Sequence, residues 1–217
     1  MDLEHIFYYI VAALVICHIP IVRRIFCTIN TLVHESGHAI AALITSGKVY
    51  SVSLYLNNEG LAEVGTKSWL SRVIVSYAGY TTSSVAAFVS FYFIYSNKLE
   101  FIFYGLLGLA IINLILWVRN IFGIIWLCTF IGFSFYIDYH HLFGLKEALV
   151  LLSASIILIH SISSAFTIFY LSIFQPSHAG DATSLKIHTF LPAFFWGFIF
   201  LFQSLISLYY VIILFIL

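Results

Sequence analysis

Six stretches of this chain run for 18 residues or more without a single Asp, Glu, Lys or Arg: 5–22, 73–97, 101–118, 120–137, 148–180 and 187–217. Each is long enough, as a helix rising 1.5 Å per residue, to cross roughly 30 Å of hydrocarbon. In lipid every main-chain polar group must be satisfied within the segment, so helices are the expected form. A seventh run, about 27–46, is apolar apart from one acid and two histidines. Composition agrees with this pattern. Charged residues make up 8% of the 217 positions, where soluble domains average about 25%. A water-soluble enzyme could not cover its surface with so few charges. With no net charge the chain also has no basic surface to hold phosphates, which excludes a nucleic-acid binder.

The expected fold is therefore all-α and multi-pass, a single integral membrane domain over residues 1–217 with about six to seven spans. The spans are placed near 5–22, 27–46, 70–96, 101–118, 120–137, 148–174 and 189–217. The first starts from an acidic flank, Asp2 and Glu4, and is followed by Arg23-Arg24, the reverse of a cleavable signal. It reads as a retained span disturbed near Pro20. Only Arg119 separates the runs 101–118 and 120–137, so one of the two is expected to be tilted or re-entrant. Between the second and third spans, Val52, Leu54 and Leu56 alternate with Ser51, Ser53 and Tyr55. Asn57-Asn58-Glu59-Gly60 then supplies a turn. This predicts a β-hairpin over about 48–65, placed at the membrane surface. The cysteines (Cys17, Cys27, Cys128) lie in or beside apolar runs without CxxC spacing and read as small buried hydrophobes. The aromatics read mostly as lipid-facing filler and interface anchors.

The exceptional seventh run contains His34-Glu35-Ser36-Gly37-His38, an HExxH motif in an apolar helical setting. Histidines four apart on a helix share a face and can point at one ion. Neutral imidazole suits Zn²⁺, and Glu35 would stand beside the ion as a base toward water. From the content of His and Glu, chance would supply this pattern roughly 0.01 times per chain. A carboxylate and two imidazoles within an intramembrane helix are costly, which points to a partner or a task. Ser36 and Gly37 would also let a second helix approach closely.

A catalytic zinc site takes three protein ligands and leaves one position open. The third could come from Asp138, His140, His141, Glu147, His160, His178, Asp181 or His188. Asp181 stands out because it interrupts an otherwise uncharged stretch, 148–185. Two uses are open to it, metal ligand or N-cap of a helix starting at Ala182. His178 and His188 flank it and could orient it. His140 and His141 read as interfacial and solvated.

With these residues in view, the sequence resembles the site-2-type intramembrane zinc metalloproteases, in particular their compact B-type-like branch. The resemblance is carried by His34 to His38 with Ala39, the strand-like segment Gly47 to Val64, Ala78-Gly79-Tyr80, Gly180-Asp181-Ala182, and Thr189 to Gly197 with Pro192 and Trp196. It covers about residues 28–200. It implies His34, His38 and Asp181 as zinc ligands and Glu35 as general base. The implied activity is hydrolysis of peptide bonds in membrane-embedded substrates through a zinc-activated water. One departure is that Asp181 is followed by Ala182 and has no Asn-Pro before it, where many members have an Asn-Pro-Asp-Gly-like motif. The implied partners are the lipid bilayer and a membrane protein or peptide substrate. A membrane-spanning substrate must be partly unwound to be cut; an open edge along Val52–Leu56 could receive it as an added strand, or the hairpin could merely cover the site mouth or join two spans. Two other readings use the same residues: an inactive family-like scaffold that binds membrane clients, and a metal-ion transporter.

Overall fold

The computed structural model describes residues 3–216. They form helices α1 (Leu3–His18), α2 (Pro20–Phe26) and α3 (Thr28–Ile44), strands β1 (Lys48–Leu54) and β2 (Gly60–Gly65), and helices α4 (Trp69–Tyr95), α5 (Leu99–Ile112), α6 (Ile121–Tyr139), α7 (Phe143–Phe174), α8 (Gly180–Thr189) and α9 (Ala193–Ile216). Five helical stretches are long and apolar enough to cross a membrane: α4, α5 with its π-helical extension to Trp117, α6, α7 and α9. Counting α1 and α2 together as one bent span makes six. The HExxH helix α3 has 17 residues, about 25 Å by helical rise, slightly less than the hydrocarbon thickness. The protein is a multi-pass integral membrane protein.

Pro20 does more than disturb the first run. It has no N–H to donate and forces Ile19 into an extended conformation (φ −84°, ψ 112°), so α1 and α2 meet at 114°. The bend brings the Cys17 and Cys27 sulfurs within 3.0 Å of each other, both buried, whereas Cys128 is exposed and departs from the expected burial.

The tight passage from α5 to α6 is solved locally. A π-helical turn, Asn113–Trp117, ends α5, and Val118 and Asn120 are extended. The Arg119 guanidinium folds back onto the carbonyls of Val118 (2.8 Å), Leu116 (2.8 Å) and Ile115 (3.3 Å), which the helix end would otherwise leave unpaired.

Helix α7 is the central pillar, its buried face running from Lys146 through Leu151, Ile157 and His160 to Ala165. It starts earlier than its apolar run because Lys146 Nζ reaches Asp138 Oδ1 at 2.6 Å, which lets a lysine be buried in its first turn. The main core joins α1, α3, α4, α5 and α7 around Phe91, Ile94, Leu151 and Ile157. A second cluster, Ala165, Ala179, Ala182, Leu185 and Phe200, seats α8 between α7 and α9.

The hairpin pairs β1 with β2 antiparallel, Val52 opposite Ala62 and Leu54 opposite Gly60. It lies lengthwise beside α3. It starts at the C-terminal end of α3, where Gly47 N–H donates to Ala42 O (2.7 Å). Its tip returns to the N-terminal end, where Thr31 Oγ1 donates to Asn58 O (3.0 Å) and Asn58 Nδ2 donates to Arg23 O (3.1 Å). The hairpin thus runs along the whole HExxH helix.

Candidate metal centre

Helix α3 presents His34 and His38 one turn apart on one face, and their Nε2 atoms stand 3.1 Å from each other. The first turn of α8 brings Asp181 to the same point. Its Oδ2 lies 3.3 Å from His34 Nε2 and 3.2 Å from His38 Nε2. Asp181 is not the cap of that helix: α8 begins at Gly180 and its N-cap is Ala179. The three residues form a cluster that could hold a metal ion.

The chemistry of the donors favours that use. His38 Nδ1 lies 2.7 Å from Val75 O, and a carbonyl only accepts, so Nδ1 carries the proton. In the neutral ring the Nε2 lone pair then faces the Asp181 carboxylate and the other imidazole. Asp181 Oδ2 is buried and receives no hydrogen bond. With His38 Nε2 and Asp181 Oδ2 as acceptors beside the His34 imidazole, a cation bound at this point would satisfy both.

Helix α4 packs close enough to touch both rings. At Gly79 a Cβ would collide with His34 and His38, and at Gly37 a Cβ would collide with the Thr82 side chain. These glycines set the separation of α3 and α4 that the histidines need. On the other flank of α3, Asn113 Nδ2 donates to Ser36 Oγ (2.9 Å), tying the end of α5 to the motif.

Glu35 is 5% exposed and turns toward the hairpin. A Cβ on Gly60 would strike its carboxyl group, and the Ala62 amide approaches the same carboxylate. The ladder explains why. Tyr55 N–H donates to Glu59 O, so by alternation the main-chain groups of Leu54 and Val52 on β1, and of Gly60 and Ala62 on β2, point outward. On β1 these outward groups are taken: Val52 bridges Val118, and Leu54 exchanges hydrogen bonds with the Asn120 amide. On β2 they face Glu35. Among the described residues no strand pairs with that edge.

The other candidates for a third ligand lie elsewhere. Asp138 serves Lys146 and Tyr104, His160 pairs with Asn30 (3.0 Å), and His140, His141 and His178 are exposed. His188 lends its carbonyl to the Trp69 indole, and among the described residues neither it nor His178 hydrogen-bonds to Asp181. Sequence reasoning misses Val75, Gly60 and Ala62, which act through main-chain atoms or a missing side chain and so leave no signal in residue type. It names Tyr80 only within Ala78-Gly79-Tyr80 and gives it no role, whereas its ring meets His34 at 4.6 Å between centroids.

A family model described as Peptidase M50B-like matches residues 7–211, nearly the full chain. The chain belongs to the peptidase M50B-like family. This is the site-2-type membrane metalloprotease family expected from the motif, and its members' typical dependence on zinc suits the histidine and aspartate cluster. A comparison with curated proteins and one with solved structures each returned no match.

Proposed function

We propose that the protein is an intramembrane zinc endopeptidase in which His34, His38 and Asp181 hold the metal and Glu35 is the general base. The observation that carries this reading is the triangle of ligand atoms, with edges of 3.1, 3.2 and 3.3 Å. A tetrahedral zinc with bonds near 2.0–2.1 Å has ligand-to-ligand edges of about 3.3 Å. Three protein ligands leave the fourth position for water or substrate, the pattern of a catalytic rather than a structural site.

When bound, zinc supplies Lewis acidity, bringing the pKa of a water toward about 7 and polarising a peptide carbonyl. The chain's own groups do the rest. Val75 O fixes His38 in the tautomer with its Nε2 lone pair turned to the site. Asp181, as carboxylate, offsets part of the cation's charge in a medium of low dielectric. Glu35 accepts the proton that water gives up on attacking the carbonyl carbon and returns it to the departing amine nitrogen.

Substrate is a membrane protein or peptide whose helix has been locally unwound. The Val52–Leu56 edge cannot receive it, because Val118 and Asn120 occupy that side. The outer edge of β2 favours strand addition instead, since a chain paired there passes Glu35. Purified protein in proteoliposomes with single-span substrates tests the whole reading. Wild type should cleave and Glu35→Gln should not. An absence of cleavage across a broad panel favours the scaffold, and zinc flux across the bilayer favours a transporter.

A further inference from the structure

The two histidines are held in different ways. His38 is fixed by the Val75 carbonyl, but Nδ1 of His34 has no hydrogen-bond partner among the described residues. The His34 ring is instead enclosed by two edge-on contacts, with His38 at 4.8 Å and 77° and with Tyr80 at 4.6 Å and 83°. Tyr80 is itself stacked on Phe200 of α9, at 4.7 Å and 27°, and Phe200 is fully buried. Tyr77 packs on the same Phe200, and Trp196 on Tyr77.

This brace is one part of a regular seam. Tyr77, Tyr80, Thr81 and Ser84 on α4 meet Trp196, Phe200, Gln203 and Ser207 on α9, at helical spacings of three and four. Polar contacts set its register: Thr81 Oγ1 donates to Gln203 Oε1 (3.1 Å), Gln203 Nε2 donates to the Tyr77 hydroxyl, and Ser207 Oγ donates to Ser84 O (2.8 Å). The seam therefore cannot slide without breaking paired groups inside the bundle.

We propose that Tyr80, braced by Phe200, is the positioning residue for His34, doing through ring contact what the Val75 carbonyl does for His38 through a hydrogen bond. This rests on the zinc reading above. A ligand imidazole without an acceptor on its second nitrogen can turn about its side-chain axis, and the edge-on ring of Tyr80 removes that freedom. Since α8 carries Asp181 and leads into α9, one chain segment then sets two ligands, Asp181 directly and His34 through Phe200 and Tyr80.

The test uses the full chain purified in detergent. Zinc affinity is measured by competition with a chelator, and the visible absorption of the Co²⁺-loaded protein reports ligand geometry. Tyr80→Phe keeps the ring and should bind zinc within about threefold of wild type, with an unshifted Co²⁺ band. Tyr80→Leu and Phe200→Leu should weaken zinc about 10–100-fold, the usual effect of losing an outer partner of a ligand, and shift the band. Phe88→Leu, on α4 away from His34, should match wild type. Melting of the metal-free proteins separates positioning from folding. Weakened affinity with unchanged metal-free melting supports the proposal, and affinity lost only in step with a lower melting temperature overturns it. A Tyr80→Leu protein that binds zinc as wild type does, with the same Co²⁺ band, also overturns it. Wild type that binds no zinc overturns the zinc reading and this proposal together.

Discussion

His38 Nε2 stands 3.2 Å from Asp181 Oδ2, although one lies in the middle of a long apolar helix and the other in the first turn of a short helix far along the chain. With the His38 ring neutral, the contact joins two acceptors, because Val75 O takes the Nδ1 proton. Substitution at either end should therefore act on metal binding before it acts on folding.

Glu35 separates chemistry from metal binding. Its carboxyl group faces β2 and makes no edge of the ligand triangle. Glu35→Gln should keep zinc near the wild-type level and lower cleavage by about 10²–10⁴-fold, the usual worth of a positioned general base. Metal analysis beside a cleavage assay on the same preparation checks this.

Gly79 should tolerate no side chain. A methyl group there meets both imidazoles, so Gly79→Ala should weaken zinc by more than about tenfold. Gly105→Ala on α5 has open space around the new methyl and should leave zinc unchanged. A chelator competition on the two variants makes the comparison.

The two strands of the hairpin should respond differently. Asn120 satisfies both main-chain groups of Leu54. Asn120→Leu should lower the melting temperature, since leaving buried main-chain groups unpaired costs roughly 1–3 kcal/mol. Ala62→Pro removes the outward N–H of β2 that approaches Glu35 and should cut cleavage of membrane substrates while zinc content holds. Equal cleavage by Ala62→Pro and wild type would rule out strand addition at β2.

Some of this architecture is legible in the order of the residues alone. The HExxH spacing is local, so His34 and His38 announce a shared helix face, and the alternation from Ser51 to Leu56 announces a strand. The isolation of Asp181 in an uncharged stretch singles it out, but only resemblance separates ligand from cap, because nothing in its neighbours says where α8 begins. Pro20 marks a disturbance without its size. The course of the hairpin along α3 is hidden, since it depends on Asn58 meeting Arg23 and Thr31. The closed edge of β1 depends on Val118 and Asn120, which are distant in sequence. Lys146 reads as connector because the partner that lets it be buried, Asp138, lies across a turn. Tyr80 belongs to the Ala78-Gly79-Tyr80 element of the resemblance, but its contact with His34 is hidden until the helices are packed.

The proposed centre brings three side chains from two distant segments to one zinc ion. Zinc per chain, measured on purified wild type, His34→Ala and Asp181→Ala of equal monodispersity, tests it most directly. One zinc per wild-type chain and a large loss in both variants are expected. Stoichiometric zinc in Asp181→Ala, or none in wild type, would contradict it.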